Sequence, residues 1–374
     1  MAGIYIHIPF CKQKCTYCDF HFSTTFHSYR SKMIASLIQE IELQKEYLKG
    51  KAIETIYFGG GTPSLLTIDE LNQILSKIHS TFNTENLLEV TLEANPDDIN
   101  TEVVQAWKSI GVNRLSIGLQ SFKESDLKWM NRAHNVEESF TCVKSAIDGG
   151  IPNLTVDLMY GLPDLSNEEW RNHIQTVIDL GVQHVSAYCL TVEEGTLLDK
   201  EVEKGTIVPP GDDLQAEQFL ILVDTLEQNG IMQYEISNFG RPGFESKHNS
   251  NYWKGTHYLG IGPSAHSFDG KSRSWNVANN QKYMQQIALA KDWNETEILS
   301  KNDVFNELIL TGLRTIEGVN LAQLDAISPL DDKINKQIDQ FCSENLMEQS
   351  NNSIRLTKIG RLQADRIASD MFRV

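Results

Sequence analysis

Through the first two hundred positions, short runs of β-branched and aliphatic residues alternate with segments whose apolar residues recur every three or four places. Residues 4–8, 55–58, 89–92, 114–118, 154–158 and 184–188 read as strands. Between them, Ile34, Leu37, Ile38 and Ile41 mark one helical face, and Leu71, Ile74, Leu75 and Ile78 another. Strand then helix, repeated about six times, predicts an α/β fold with a parallel sheet, because each crossover must return the chain to the same edge. A closed barrel needs about eight such units, two more than the pattern supplies.

Beyond residue 188 the rhythm changes. A helix over 214–228 precedes a short strand over 233–236, and a stretch rich in Gly, Asn and aromatics runs from 237 to 269. From about 302 the pattern is helical. The chain closes with a strand over 346–349, a turn at Asn351-Asn352, a strand over 354–357 and a last helix, the order of a small helical domain with a β-hairpin wing. The expected organisation is a β/α unit over 1–236, a loop-rich extension over 237–300 and a C-terminal helical domain over 301–374.

In parallel β/α architectures the reactive groups gather at the carboxyl ends of strands. The unusual residues of this chain fall at those ends. Three cysteines follow the first strand and Gly59-Gly60-Gly61-Thr62-Pro63 the second; Glu93 follows the third and Gln120 the fourth. Asp157 lies inside the apolar fifth strand, and Tyr188 ends the sixth. Six such placements in register point to one site.

Charge narrows the classes. With 33 basic and 50 acidic residues the net charge is −17, which disfavours general nucleic-acid binding. The basic residues near the end, Arg355, Lys358, Arg361, Arg366 and Arg373, read as a solvated helix face. No apolar run approaches the ~20 residues of a membrane span, so at most peripheral membrane association is expected. The first strand has neither a basic start nor a cleavage site, and the expected location is the cytoplasm.

In that reducing compartment six cysteines do not suggest disulfides. Cys142, Cys189 and Cys342 are scattered, whereas Cys11, Cys15 and Cys18 crowd into eight residues. A cubane cluster has four irons and usually takes four thiolates, and three cysteines of one loop can hold three irons and leave one that a small molecule can chelate. The alternatives are a zinc ion completed by Asp19 or His21, and three buried structural cysteines. The glycine run after the second strand lets backbone approach a ligand closely. It is no phosphate loop, for no Gly-Lys-Ser/Thr follows. Gly260-Ile261-Gly262-Pro263 matches the loose dinucleotide pattern but lacks a surrounding β-α-β unit.

Cys-x-x-x-Cys-x-x-Cys after a first strand, with the aromatic Tyr17 before the last cysteine, resembles the radical-SAM superfamily. The resemblance implies a partial (β/α)6 barrel, a [4Fe–4S] cluster on Cys11, Cys15 and Cys18, and S-adenosylmethionine bound at the open iron. One-electron reduction would then give a 5′-deoxyadenosyl radical. The strings Tyr5 to Cys11, Gly59 to Pro63, Arg114 to Gln120 and Asp157 to Pro163 are similar to one subgroup, the oxygen-independent coproporphyrinogen dehydrogenases. That likeness implies a SAM pocket of Tyr5, Tyr17, Gly60, Gly61, Thr62, Glu93, Gln120, Arg132 and Asp157. In it Arg132 neutralises a carboxylate, and Asp157 and Glu93 accept from hydroxyls or amines.

Two features depart from the dehydrogenase. Phe20 stands where that enzyme has a further cysteine, and the first strand begins too early for the enzyme's N-terminal extension. A third feature, His248-Asn249-Ser250-Asn251-Tyr252-Trp253, fits His-Asn-x-x-Tyr-Trp and is similar to heme chaperones of the subgroup. An imidazole is a common axial ligand of heme iron, and aromatics cover a porphyrin face. The likeness implies heme as a third cofactor, held by His248 and passed to an acceptor such as a cytochrome, with no catalytic residues assigned and a homodimer possible. His257 and His266 are rival ligands, and His7 is expected to support the cluster. Set against this reading are oxidative decarboxylation of coproporphyrinogen III and, from another class, a zinc-stapled DNA-binding protein.

Overall fold

The computed structural model describes residues 1–373. Its strands are β1 (Ala2–Ile8), β2 (Ile53–Gly60), β3 (Glu89–Ala94), β4 (Arg114–Gln120), β5 (Leu154–Tyr160), β6 (His184–Cys189), β7 (Met232–Glu235), β8 (Asn238–Gly240), β9 (His257–Ile261), β10 (His266–Phe268), β11 (Ser272–Asn276), β12 (Asn294–Ile298), β13 (Val319–Asn320), β14 (Met347–Ser350) and β15 (Ser353–Leu356). Its α-helices are α1 (Arg30–Leu43), α2 (Ile68–Thr81), α3 (Thr101–Ser109), α4 (Glu124–Trp129), α5 (Val136–Asp148), α6 (Asn167–Asp179), α7 (Leu197–Glu203), α8 (Asp212–Gln228), α9 (Lys247–Trp253), α10 (Asn280–Leu289), α11 (Lys301–Leu313), α12 (Leu321–Ile327), α13 (Asp332–Ser343) and α14 (Ala364–Asp370).

The six expected strands pair in parallel in chain order, β1 to β6. Their nearly unbroken apolar runs follow from burial on both faces, as in β1, where only Tyr5 is not fully buried. Helix starts are written locally. Thr67 opens α2 by accepting from the Glu70 amide at 3.2 Å, while the Glu70 carboxylate accepts from the Thr67 amide at 2.8 Å. The same reciprocal cap begins α5 at Asn135 and α6 at Ser166.

A seventh parallel strand was not expected. Within the stretch read as loop-rich, β9 runs parallel to β1 on the side away from β2. Segment 237–300 adds β8 beside β6 and, outward from β9 on the other edge, β10, β11 and β12, giving one open sheet of 12 strands in the order β12-β11-β10-β9-β1-β2-β3-β4-β5-β6-β8-β7. The reading as loop fails because β9, His-Tyr-Leu-Gly-Ile, is short and buried, so it shows neither alternation nor a long apolar run. Its end is fixed by the buried carboxylate of Glu40, which accepts from the Tyr283 hydroxyl (2.6 Å), the Asn276 amide (2.7 Å) and the Gly262 backbone N–H (2.8 Å).

The first core reaches from Ala2 to Ile287. A second core, from Phe305 to Met371, fills the C-terminal unit, where β13, β15 and β14 form the wing. Glu235, buried at the end of β7, joins the two by accepting from Arg314 at 3.0 Å. The terminal basic residues are not simply a solvated face. Arg355 pairs with Glu348, Lys358 with Asp224, and the Arg373 guanidinium lies 4.2 Å from the centre of the Phe305 ring. No described helix is long and apolar enough to cross a membrane.

Candidate functional site: the cavity at the strand ends

A cavity of about 360 Å3 opens at the carboxyl ends of the parallel strands. The loop after β1 brings Cys11, Cys15 and Cys18 to its rim, each half-buried. That loop is held from several sides. The Cys11 amide donates to the Ser23 carbonyl (3.1 Å), the Thr16 amide to Met130 (3.1 Å) and the Leu198 amide to Thr16 (3.0 Å). His7 Nε2 is 2.8 Å from the His21 carbonyl, so it fastens the loop from inside the barrel, and burial holds its pKa down at about 4. Phe10 stacks on Phe26 beneath the loop, with ring centres 4.5 Å apart.

The glycine run docks against this loop. The Gly61 amide donates to the Ile8 carbonyl at 2.9 Å, and the Thr62 amide to Phe10 at 2.6 Å. A Cβ on Gly61 would lie 2.6 Å from the Phe10 carbonyl oxygen; on Gly60, at φ +108°, it would lie 2.6 Å from the His7 ring. The glycines are thus needed by the chain's own cysteine loop as well as for any ligand.

Gly60, Gly61, Thr62, Glu93, Gln120, Arg132, Asp157 and Tyr17, all predicted for the pocket, line the cavity. Arg132 aims Nη1 at the Cys15 sulfur (3.6 Å) and gives Nη2 to Asn95 (2.9 Å) and the Gly118 carbonyl (2.8 Å), while its buried Nε has no partner. Gln120 reaches the cavity from a left-handed backbone, φ +68°, at a register irregularity of β4, the kind of local strain that re-aims a side chain. Tyr5 is the exception. Its hydroxyl is 3.1 Å from His7 Nδ1 and its ring stacks on Tyr57, one layer behind the lining. Asn95 and Ser116 also border the cavity and escaped the sequence reading. Asn95 had one legible signal, its place between the end of β3 and Pro96.

Burial sets the electrostatics. It pushes the Cys11 and Cys18 thiols up to about 12 and about 11. It lifts Glu93 and Asp157 to about 7, although Glu93 accepts from the Tyr57 hydroxyl at 2.7 Å. Both carboxyls titrate higher folded than unfolded. Their stabilising contribution is complete below the unfolded values near pH 4 and is lost as pH rises through about 7. Glu93→Gln and Asp157→Asn should therefore gain stability relative to the parent between pH 5 and pH 8, by on the order of 2 kcal/mol each. Thermal unfolding of ligand-free protein at the two pH values reads this directly; a difference that does not change with pH would contradict it.

The chemistry of the donor set fits a cluster. Among the described residues no three His, Cys, Asp or Glu side chains converge on a single ion. Of the two residues offered to complete a zinc ion, His21 instead lies 2.8 Å from Asn280 Oδ1 through Nε2, whereas Asp19 borders the cavity beside the cysteines. Three thiols on one rim, with a buried guanidinium and two carboxyls lining the same cavity, are donors that would suit three irons of a cluster and a charged chelating molecule beside it.

His248 lies at the other end of the barrel. It sits in α9, is 2% exposed and packs among the amino ends of β1 and β2, with Nδ1 2.8 Å from Thr55 Oγ1. The amides of Lys247 and His248 donate to the Glu89 carboxylate at 2.9 and 3.0 Å. His248 and the cysteines are therefore not brought together in one pocket. Of its rivals, His257 is half-buried on β9 and His266 is exposed on β10.

Residues 5–177 match the model of the Radical SAM superfamily, and 299–362 that of the HemN C-terminal domain. The chain is 32% identical to the heme chaperone HemW of Bacillus subtilis over 98% of both chains. It is 34% identical to HemW of Lactococcus lactis subsp. lactis over 95% of this chain and 93% of the relative. Among solved structures, the fold is similar to coproporphyrinogen III oxidase (HemN) of Escherichia coli, a radical SAM enzyme, with a TM-score of 0.85, 21% identity, and coverage of 99% of this chain and 90% of that one. The chain belongs to the HemW family of radical-SAM proteins.

Proposed function

We propose that the protein is a heme chaperone: it binds one heme and passes it to an acceptor hemoprotein, such as a cytochrome, in the cytoplasm. The observation that carries this reading is full-length similarity, at 32–34% identity, to relatives named for that function. In our reading Cys11, Cys15 and Cys18 hold a [4Fe–4S] cluster. Gly60, Gly61, Thr62, Glu93, Gln120, Arg132 and Asp157 hold S-adenosylmethionine beside it, with Tyr17 packed against the cluster. Tyr5 acts from behind, by seating His7 and Tyr57. When bound, the cluster and S-adenosylmethionine supply one-electron chemistry. The chain's own residues shelter them, and Arg132 offers charge to a carboxylate.

His248 is the proposed heme ligand. Burial holds its pKa down at about 3, so the ring stays neutral, and Nε2 is buried without a hydrogen-bond partner. A lone imidazole nitrogen kept from water and from protein partners costs about 1–3 kcal/mol, a cost that metal ligation would offset. Phe20, 68% exposed at the cavity mouth, supports the chaperone over the oxidase, because the dehydrogenase to which the motifs are similar has a cysteine there.

A transfer assay tests the function. Heme-loaded protein is mixed anaerobically with an apo-cytochrome, and the acceptor's Soret band is followed. Transfer faster than from the same heme on serum albumin is expected. With a net charge of −17, transfer to a basic acceptor should slow as salt is raised. Conversion of coproporphyrinogen III to protoporphyrinogen IX under reducing conditions, with no heme transfer, would contradict the reading.

A further inference from the structure

A second, larger cavity of about 1100 Å3 lies between α9 and α11. It runs from the amino ends of β2 and β3 along the open side of the sheet to Tyr188, which borders both cavities. Its walls combine aromatic faces with charges of both signs, and Glu54, Glu245 and Glu317 line it without an ion pair to a described residue. Tyr252, Trp253, Tyr258 and Phe268 line it, and the Arg314 guanidinium lies 5.2 Å from the centre of the Trp253 ring. Lys247 and Lys254 begin and follow α9, and both border the cavity. Neither forms an ion pair with a described residue, whereas Arg273 and Arg314 are matched by Glu307 and Glu235.

The motif residues divide around this cavity. Tyr252 and Trp253 face it, but His248 does not. Two side chains that touch the His248 ring stand in the wall instead. Thr55 is bonded to its Nδ1, and Tyr252, one helical turn on, meets it edge-on with ring centres 5.2 Å apart. Behind, His248 stacks on Tyr57 at 5.0 Å. Tyr252 is itself braced edge-on by Tyr258 at 4.5 Å. The imidazole thus sits one side chain behind the cavity wall, with Nε2 covered.

We propose that the cleft between α9 and α11 is the seat of the heme, and that Tyr252 is a gate which must swing aside before His248 can reach the iron. The inference rests on the heme-binding reading above and adds to it a place and an order of events. Heme suits the cleft chemically. A flat apolar ring finds aromatic faces, two propionates find the unpaired Lys247 and Lys254, and the volume is at the upper end for small-molecule sites. In the tautomer that carries its proton on Nδ1 and donates it to Thr55, 2.8 Å away, His248 keeps the Nε2 lone pair for iron, as a ligating imidazole requires. Uptake then has two steps: seating in the cleft, whose rate rises with heme concentration, and ligation, whose rate does not, because it waits on the ring.

Stopped-flow absorbance with hemin and the full cluster-loaded chain tests this. Wild type should show a concentration-dependent phase followed by a slower, concentration-independent shift to a histidine-ligated spectrum. Tyr252→Ala should speed the second phase about tenfold or more. Tyr252→Leu carries the same expectation should the alanine variant fold poorly. Tyr252→Phe should keep the slow phase, since the ring edge remains. His248→Ala should keep the first phase and lose the second. Lys247→Glu with Lys254→Glu should weaken the first about tenfold. An unchanged second phase in both Tyr252→Ala and Tyr252→Leu overturns the gate, and an unchanged first phase in the double lysine variant overturns the seat. Absence of saturable hemin uptake by wild type would instead overturn the heme-binding reading itself.

Discussion

Gly61→Val is expected to purify as a folded chain with only a small fraction of the wild-type iron. The reason is local and steric. A Cβ at Gly61 would meet the Phe10 carbonyl oxygen at 2.6 Å and the Ile8 carbonyl oxygen and Phe10 amide at 2.9 Å. These atoms are backbone, at the end of a central strand, and cannot turn away as a flexible side chain would. The cysteine loop must move instead, carrying Cys11 and its neighbours off the cavity rim. A site displaced by even 1 Å loses its ligand geometry. The barrel itself keeps its cores, so the far-UV circular dichroism spectrum should stay that of wild type. Gly211→Ala is the control, because nothing lies within 4 Å of its added Cβ. Wild-type iron content in Gly61→Val, after anaerobic reconstitution, would contradict the docking of glycine run on cysteine loop.

Glu40→Ala should cost stability heavily, by roughly 2–5 kcal/mol. The carboxyl is fully buried and receives three donors, from Tyr283, Asn276 and Gly262. Removing it leaves a hydroxyl, an amide and a backbone N–H without partners and opens a void between α1 and α10. These three donors tie the β9–β11 layer to the barrel, so loss of Glu40 should loosen segment 257–290 first. Glu40→Gln keeps an acceptor and should lose much less. Denaturant unfolding of the two variants measures the contrast; equal losses would show that the hydrogen bonds to the carboxyl are not what holds the layer.

Much of this was legible in the sequence because its causes are local. The parallel strands announce themselves as apolar runs buried on both faces, and their helices through caps such as Thr67 with Glu70. Placing polar residues at strand ends was enough to gather Glu93, Gln120 and Asp157 with the cysteines around one cavity, since parallel β/α topology puts those ends together, whereas Arg132, in the loop between α4 and α5, was reached only through the family resemblance. What escaped depends on long-range pairing. That β9 returns beside β1 after some 250 residues leaves no periodic trace. Tyr5 belongs to the right strand, but whether it lines a cavity or stands behind Tyr57 depends on packing. His248 shows the same limit. Its motif was readable, whereas its burial behind Tyr252 and Thr55 is set by α9 docking on the Glu89 carboxylate, 158 and 159 residues away in the chain.

The central claim is that this chain binds one heme. An anaerobic equilibrium titration of the cluster-loaded protein with hemin, followed in the Soret region for wild type and His248→Ala, tests it most directly. Saturation at one heme per chain is expected for wild type, with a histidine-ligated spectrum that His248→Ala loses. A titration with no break, matching hemin added to buffer, would contradict the claim.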